Sequence, residues 1–321
     1  MHIPDGFIDA KTAATTAGLS AVGVGFALRA VRRDLPPRRV PLLGLAAAFL
    51  FAAQMLNFPV AAGTSGHLIG GTLVAALLGP SAAVVVVTTV LIVQCFLFAD
   101  GGVSALGANI FNMALLGSVG GYAVYRLLGR MRAGARGRIT AVAFAGWFST
   151  VLAAIGCAGQ LAWSGTVGWA AAFTSMTSVH LLIGLGEGLI SALVLAGVER
   201  ARPDLIYQPG QNGAGNSGGW FVGYGLLVAI GLAVFVAPFA SSWPDGLEHV
   251  AEKLGFVEKA VVAPVAAPVP DYAMPGVSWA VGATALAGMA GALVVFALAW
   301  LLGRLLVPKL SGSDTLPAAK P

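Results

Sequence analysis

The stretch PSAAVVVVTTVLIVQCFLFA, residues 80–99, contains no charged side chain. A helix needs roughly 20 mostly apolar residues to cross the hydrocarbon core of a membrane, and this stretch has that length. It follows the dipeptide boundary Gly79-Pro80, which is a natural break because proline cannot continue a preceding helix. The stretch therefore predicts a membrane-spanning helix with a sharp start.

The rest of the chain has a composition typical of the same class of protein. Of its 321 residues, 58% are hydrophobic and 10% are charged, and the mean hydropathy is +0.87. A soluble domain carries about 25% charged residues. Composition therefore predicts an all-α polytopic membrane protein, and the 44 glycines fit close packing between membrane helices.

Nine apolar runs are predicted to form the membrane helices. They are residues 12–31, 41–57, 67–79, 80–99, 107–128, 139–163, 170–198, 219–241 and 278–305. The run at 67–79 is too short to cross the membrane upright, so we expect it to be tilted or partly buried in protein.

Arginine is concentrated in four segments, and nine spans place all four on one side of the membrane. The segments are residues 32–39, 126–138, 199–204 and 303–309. The positive-inside rule assigns this side and the C-terminus to the cytoplasm, so the N-terminus and an acidic face lie outside. Because the basic residues are explained by topology, we do not expect nucleic acid as a partner.

A stretch rich in Gly, Pro, Asn and Gln, residues 202–218, divides the chain and is predicted to be a flexible cytoplasmic linker. It separates a seven-span domain, residues 1–201, from a two-span domain, residues 219–309. Residues 310–321 are predicted to be a disordered tail.

The outer loop of the second domain begins with a predicted short helix. Asp245 at the N-cap and Glu248 three residues later form a capping-box pattern. His249, Glu248 and Asp245 are candidates for a transient metal contact, although a solvated helix face explains the same residues.

The N-terminal segment MHIPDGF, residues 1–7, is the sharpest candidate for metal binding. Asp5 and Asp9 stand where a signal peptide would be basic, so we expect Met1 to be retained. The Met1 amine, the His2 backbone nitrogen and the His2 imidazole can then close two fused chelate rings around one metal ion. The peptide is planar, and a fourth nitrogen would complete the square plane that suits Ni(II) or Cu(II). An incidental surface histidine is the alternative.

His67 is the candidate fourth ligand. It lies in GTSGHLIGG, residues 63–71, at the outer end of its run and therefore on the membrane face where Met1 is expected. The glycines permit close approach of backbone, and Ser65 is a candidate supporting residue. A histidine that caps a helix is the alternative.

Three further polar residues are candidates to hold the metal-bearing segment. Asn109 and Asn112 are three residues apart and are predicted to share one helix face. Asp100 lies in the loop before them. Hydrogen bonds from such residues orient metal ligands, but amides in membrane helices also serve as ordinary contacts between helices.

His180 and Glu187 are ionisable residues inside the seventh run. They are seven residues apart, about 10 Å along a helix axis. Ionisable groups at this depth are usually functional or paired, so a structural contact and a transport pathway both stay open.

The sequence lacks the motifs HExxH and GxxxxGK[ST]. We therefore expect a protein that is not an enzyme and that does not itself hydrolyse ATP through a P-loop.

Several motifs in a fixed order resemble the CbiM/NikM family, the substrate-binding M components of cobalt and nickel energy-coupling-factor (ECF) transporters. They are MHIPDGF, SGHLIGG, LLGPSAAVVV, LFADGGVSALGANIFNMALLG and HLLIGLGEGLISALV. The resemblance covers about residues 1–200. The second domain, with PDGLE at 244–248, resembles the CbiN/NikN component, so the chain resembles a natural M–N fusion.

The resemblance implies a seven-helix S-component-like core with an extra N-terminal helix, followed by a two-helix hairpin with an extracytoplasmic loop. It implies a metal site formed by the Met1 amine, the backbone nitrogen and imidazole of His2, and the imidazole of His67. It also implies Ni²⁺ or Co²⁺ as the transported substrate, with no organic cofactor. The implied partners are a transmembrane T subunit (CbiQ/NikQ-like) and a cytoplasmic ATPase (CbiO/NikO-like) in a bacterial or archaeal cytoplasmic membrane.

The main hypothesis is a subunit that captures nickel or cobalt for an ATP-driven importer. The alternatives are a stand-alone metal permease or channel that uses His180 and Glu187, and a structural membrane subunit that binds no metal. The ligand types do not choose between nickel and cobalt, and copper would bind more tightly still. The fusion to an N-like domain favours nickel.

Overall fold

The computed structural model describes residues 1–61, 63–132, 134–209 and 219–308. The helices are α1 (Ala10–Asp34), α2 (Val40–Gln54), α3 (Gly71–Leu78), α4 (Pro80–Phe98), α5 (Leu106–Asn109), a π-helix (Ile110–Gly120), α6 (Gly121–Met131), α7 (Ala135–Trp163), α8 (Trp169–Ala201), α9 (Gly219–Phe235), α10 (Gly246–Leu254) and α11 (Ala280–Leu306). Short 3₁₀ turns lie at Pro37–Arg39, Pro203–Leu205, Ala237–Phe239, Val257–Lys259 and Pro270–Tyr272.

Six helical segments within these ranges are long and apolar enough to cross a membrane. They are α1, α4, α7, α8, α9 with the 3₁₀ turn that follows it, and α11. This confirms the predicted class, a mostly helical protein that crosses a membrane several times. The other predicted runs fall on shorter pieces of helix, such as α2, whose 15 residues span about 22 Å.

The predicted break between Gly79 and Pro80 is confirmed. α3 ends at Leu78, Gly79 has a φ of +93°, and α4 begins at Pro80. α3 has eight residues, most of them buried. The run at 67–79 is therefore a loop followed by a short helix inside the protein.

A continuous helical rod, residues 106–131, has a π-helix as its middle part. A π-helix is rare and is closed by i→i+5 hydrogen bonds, so it is wider than an α-helix. Residues three apart in it diverge around the axis more than they do in an α-helix. The rod therefore does not keep the face that an α-helical pattern predicts.

An antiparallel hairpin of two short strands, β1 (Phe58–Ala61) and β2 (Thr64–Gly66), interrupts the helices. Phe58 pairs with Gly66 and Pro59 pairs with Ser65. The all-α prediction missed this hairpin. Strand β2 ends at Gly66, directly before His67, so the hairpin fixes the position of the His67 backbone.

The second domain packs against the first mainly along α2. Both α9 and α11 contact α2, and α11 also contacts α4. The approach is close, because a Cβ added at Gly44 of α2 would lie 2.8 Å from the Phe296 carbonyl oxygen of α11. On the first domain, α7 and α8 form a long helix pair, and α10 of the second domain lies against α8.

The first part of the predicted linker packs against the first domain. Residues Pro203–Leu205 form a 3₁₀ turn, and the Tyr207 N–H donates to the Ala76 carbonyl oxygen at 3.0 Å. Residues 210–218 of the predicted linker, and the predicted tail at 310–321, lie outside the described residues.

Candidate metal site

Most of the N-terminal segment before α1 is buried or half-buried. Met1 is 4% exposed, and Ile3 is fully buried. The loop after α4 holds the segment, because Gly102 N–H donates to the Ile3 carbonyl oxygen at 2.8 Å. The Asp5 carboxylate accepts from the backbone N–H groups of Val103, at 3.0 Å, and Ser104, at 2.7 Å. These bonds fix the backbone on both sides of Pro4.

Asn109 clasps the same segment from the helical rod. Its Oδ1 accepts from the Ile3 N–H at 2.8 Å, and its Nδ2 donates to the Ile3 carbonyl oxygen at 3.1 Å. The structure thus places Asn109 where the sequence predicted a supporting residue. Asn112 does not share this role: its side-chain amide pairs with that of Gln160 at 2.8 and 2.9 Å. It lies within the π-helix, which turns it away from the N-terminus, and it connects two helices instead.

The Met1 amine and the His67 ring meet in the interior. The amine nitrogen lies 2.7 Å from His67 Nε2. The other ring nitrogen, Nδ1, lies 3.2 Å from the Leu68 carbonyl oxygen, and because that oxygen can only accept, Nδ1 carries the proton. Nε2 therefore presents its lone pair to the amine. Two nitrogen ligands at right angles, each about 2.0 Å from a metal, would lie about 2.8 Å apart, so this spacing fits two neighbouring corners of a square plane.

Glu187 shapes the loop that carries His67. Its carboxylate accepts from the backbone N–H groups of Ile69, at 2.6 Å, and Gly70, at 2.9 Å. Gly70 has a φ of +71°, which glycine adopts without strain. A buried acid on α8 thus satisfies the backbone next to the candidate ligand.

His2 lies beside His67, with their rings stacked 5.2 Å apart between centroids and inclined by 15°. His2 Nδ1 is 3.0 Å from Asp100 Oδ1, and His2 Nε2 is buried with no hydrogen-bond partner among the residues described. Nδ1 is the ring nitrogen that can close a six-membered chelate ring with the His2 backbone nitrogen. In this arrangement His2 Nδ1 is in contact with the Asp100 carboxylate.

The second domain contributes two groups to the site. Asp245 Oδ2 forms an ion pair with the Met1 amine and lies 3.8 Å from His67 Nε2. The Tyr272 hydroxyl donates to Asp100 Oδ2 at 2.6 Å. Sequence reasoning missed Tyr272, because nothing in its neighbourhood distinguishes it from the other residues of a proline-rich loop.

The position of Asp245 has a local cause. It is the N-cap of α10, and the capping box with Glu248 is confirmed. Ser65 holds the two residues that precede Asp245. Its Oγ donates to the Trp243 carbonyl oxygen at 2.7 Å, and its N–H donates to the Pro244 carbonyl oxygen at 2.9 Å. Ser65 therefore holds the second domain to β2 and does not contact the N-terminal segment as a supporting residue would.

Charge in the site follows from these contacts. Burial opposes ionisation of Asp245, but the Met1 amine outweighs it and lowers the pKa of this carboxyl. For Asp100, burial likewise opposes ionisation, and the His2 ring and the Tyr272 hydroxyl lower the pKa overall. Burial lowers the pKa of His67 to about 3. Two carboxylates and a neutral His67 are therefore expected near neutral pH.

His180 and Glu187, which the sequence could not assign, lie at different features. His180 Nδ1 is 2.8 Å from the Met176 carbonyl oxygen. Its ring borders a cavity of about 10 Å³ that Met1, His67 and Gly246 also line, while Glu187 is engaged by the backbone at Ile69 and Gly70. A Cβ at Gly246 would lie 2.9 Å from His180 Nε2, so glycine permits α10 to approach the site closely.

His249, a candidate for a transient contact, is half-buried on α10, and its side chain makes no hydrogen bond to any residue described. Glu248 accepts from the Asp245 N–H at 2.9 Å and acts as a cap. Of these three candidates, only Asp245 reaches the amine and His67.

Within the described ranges, no group of three His, Cys, Asp or Glu side chains could hold a metal ion. The arrangement at Met1, His2 and His67 is of another kind, since two of its nitrogens belong to the main chain. No hydrogen bond joins the His2 backbone nitrogen to a described residue, so this nitrogen is available to a ligand.

Residues 2–205 match the family described as CbiM, the cobalt uptake substrate-specific transmembrane region. The chain belongs to this family. Residues 219–308 match the PDGLE domain. Together the two matches confirm the resemblance to an M component fused to an N component.

Similar proteins are metal transport proteins. The putative fused nickel transport protein NikMN of Archaeoglobus fulgidus is 36% identical over 95% of this chain and 98% of its own length. The fused nickel transport protein NikMN of Rhodobacter capsulatus is 35% identical over 64% of each chain. The cobalt transport protein CbiM of Geobacter sulfurreducens is 31% identical over 83% of this chain and 78% of its own length.

A solved structure shares the fold of part of this chain. It is described as the crystal structure of a truncated transition metal transporter, and it matches with a TM-score of 0.57 and 33% sequence identity. The match covers 62% of this chain and 99% of the other. This member of the CbiM family is therefore a multi-pass membrane protein related to proteins of metal uptake.

Proposed function

We propose that this chain captures Ni²⁺ or Co²⁺ outside the cell for an ATP-driven ECF importer. The observation that carries the proposal is the meeting of the Met1 amine and His67 Nε2 at 2.7 Å, with His2 adjacent to both. Two segments 66 residues apart thus place two nitrogens at the spacing of neighbouring metal ligands in the protein interior.

The proposed ligands are four nitrogens. They come from the Met1 amine, the His2 backbone, His2 Nδ1 and His67 Nε2. The first three lie on one planar peptide and its side chain, and His67 supplies the remaining corner. Square-planar nitrogen ligation suits Ni(II), and the fused relatives are nickel transport proteins by description. Of the two ions, we therefore propose nickel first.

Metal binding would exchange two contacts seen in the structure. The Met1 ammonium must leave its ion pair with Asp245 and release a proton to solvent, and the His2 backbone nitrogen must release its N–H proton likewise. His2 Nδ1 must leave Asp100. Both carboxylates attract a divalent cation at close range, so we assign them to the approach of the ion and not to its final coordination.

The remaining parts of the proposal concern the membrane and the partners. We place the chain in a bacterial or archaeal cytoplasmic membrane, with the N-terminus outside because the arginine-rich segments favour the cytoplasm. Since the sequence has no P-loop motif, ATP hydrolysis is assigned to a separate CbiO/NikO-like ATPase, coupled through a CbiQ/NikQ-like T subunit. A permease pathway through His180 and Glu187 has less support, because Glu187 is engaged by the backbone at Ile69 and Gly70.

The test is the metal content and nickel affinity of the full chain carrying His67→Ala. We expect the affinity to fall by at least about 100-fold, since removing even an outer partner of a metal ligand costs 10- to 100-fold. His249→Ala is the matched control, because it removes a histidine that does not reach the amine, and it should bind as the unaltered chain does. Stoichiometric nickel at unaltered affinity in His67→Ala would reject the site.

A further inference from the structure

A second cleft lies far from the metal site, at the arginine-rich ends of the membrane helices. It has a volume of about 450 Å³ and is bordered by the end of α1, the Pro37–Arg39 turn, the α3–α4 break and Tyr207. Pockets of a few hundred cubic ångströms are the size that small ligands occupy. The proposed metal transport makes no use of this cleft.

The cleft contains a buried cation with few partners. Arg39 is 7% exposed and lines the cleft. Its single hydrogen bond to a described residue runs from Nη2 to the Asp204 carbonyl oxygen at 3.2 Å, so its Nε and Nη1 groups have no acceptor in the described part of the chain. Burial, and then the nearby Arg38 cation, lower the pKa of this guanidinium. A guanidinium has five donors, so Arg39, which lines the cleft, has donors left for a ligand there.

The start of α4 faces the same cleft and also lacks acceptors. No side chain caps this 19-residue helix at Gly79. Ser81 and Ala82 line the cleft, and no described residue accepts a hydrogen bond from their backbone N–H groups. A helix N-terminus carries partial positive charge and favours bound anions, phosphate above all.

The other charges of the cleft compensate one another. Arg33 pairs with Asp34 through bonds of 2.7 and 2.8 Å, and both line the cleft. The charge of Arg39 is then left over beside the N-terminus of α4. The surroundings are complementary to a single anionic group.

We propose that this cleft binds a phosphate group, held by Arg39 and the backbone at Ser81 and Ala82. Bidentate pairing of arginine with phosphate would use Arg39 donors that have no partner among the described residues. The cleft lies where α1 and α3 end and α4 begins, the level at which lipid headgroups meet membrane helices. A phosphodiester lipid headgroup and free phosphate share the chemistry required, and the experiment separates them.

The experiment compares four proteins in micelles of dodecyl maltoside, a detergent without phosphate, with or without added phosphatidylglycerol, and with or without inorganic phosphate. They are the unaltered full chain, Arg39→Gln, Ser81→Asp and Arg130→Gln. Ser81→Asp keeps Arg39 and places an acid in the first turn of α4, where it favours the helix while repelling an anion. Arg130→Gln is the matched control, because Arg130 is an exposed arginine at the end of α6. The readouts are the thermal midpoint and the lipid retained in native mass spectrometry.

We expect phosphatidylglycerol to raise the midpoint of the unaltered chain and of Arg130→Gln, and to be retained by both. Arg39→Gln and Ser81→Asp should bind it about tenfold more weakly, as the loss of one charge-assisted hydrogen bond implies. The same pattern with inorganic phosphate alone would support the site and assign it to a free anion. Equal responses of all four proteins to both anions would overturn the proposal, and the unpaired donors of Arg39 would then be assigned to an acidic group on a partner protein.

Discussion

Residues 1–209 and residues 219–308 contribute different groups to one site. The first region supplies the candidate nitrogen ligands, on Met1, His2 and His67, together with the Asp100 carboxylate beside His2. The second region supplies Asp245, whose carboxylate forms an ion pair with the Met1 amine. It also supplies Tyr272, whose hydroxyl donates to Asp100, the carboxylate beside His2. The comparison shows that carboxylates contact two of the candidate donors in this structure, and that the second domain supplies one of these carboxylates.

This division has a physical consequence. A cation can bind the nitrogens of the first region only when the contacts from Asp245 and Asp100 are exchanged. Loss of a nitrogen ligand, or of a residue that orients one, should therefore weaken metal binding, whereas loss of the Asp245 carboxylate should release a donor.

The largest effect is expected from one glycine added before Met1. The amine would become an amide, and the buried position of Met1 leaves no room for another residue. We expect nickel affinity to fall by at least about 100-fold, measured by titration of the purified full chain. One glycine added at the C-terminus is the control, and unaltered binding in the N-terminally extended chain would remove the amine from the site.

The second effect concerns pH. Binding through the His2 backbone nitrogen requires that its N–H proton leaves, so affinity should fall by about tenfold for each pH unit per proton released. His67 does not limit this range, because burial keeps its pKa at about 3. Between pH 7.5 and 5.5 we therefore expect a loss of at least about 100-fold. A flat profile over these two units would argue for ligands that carry no proton.

A smaller loss is expected from Asn109→Ala. This variant removes both hydrogen bonds to Ile3, which hold the segment that carries His2. We expect nickel affinity to fall about tenfold, as for other residues that orient metal ligands. Asn112→Ala is the matched control: it loses its bonds to Gln160 and should lower thermal stability with little change in affinity. Equal losses of affinity in the two variants would refute a specific role for Asn109.

Asp245→Asn should act in the opposite direction. The metal-free state loses the ion pair to the amine, so nickel affinity should rise by about threefold to tenfold, which corresponds to roughly 1 kcal/mol. Glu252→Gln, at an exposed acid on the same helix, is the control. A tenfold fall in affinity for Asp245→Asn would identify this carboxylate as a metal ligand, and the second region would then supply a ligand as well.

The smallest effect on metal binding is expected from Tyr272→Phe. The ring keeps its stacking on Phe98, 4.7 Å between centroids, and only the hydroxyl on Asp100 is lost. We expect the free energy of unfolding to fall by about 1 kcal/mol and nickel affinity to change by less than about threefold. Tyr224→Phe, at an exposed position on α9, should change neither. A loss of affinity larger than that of Asn109→Ala would place Tyr272 among the residues that orient the ligands.

Part of this site could be predicted from the sequence because its chemistry is local. A histidine at position 2 places an amine, a backbone nitrogen and an imidazole within two adjacent residues, whatever the fold. Apolar runs such as 80–99 likewise predict helices from length alone. The contact between Asp245 and the amine joins residues 244 positions apart, and no local pattern encodes it.

Other features escaped prediction for physical reasons. The β1–β2 hairpin has strands of four and three residues, too short for a period of two to be seen. Asn112 lies in the π-helix after Asn109 and pairs with Gln160, and the three-residue spacing did not indicate which of the two amides contacts the N-terminal segment. In the sequence, Arg39 does not differ from the other basic loop residues, and only the fold shows that it is buried.

The most direct test of the central claim is the X-ray absorption spectrum of nickel bound to the full chain. If the nitrogens of the first region coordinate the metal and both carboxylates leave, the spectrum will show a square-planar site with four nitrogen ligands. Asp245→Asn will then leave the spectrum unchanged. A six-coordinate site with oxygen ligands, altered by Asp245→Asn, would contradict the account.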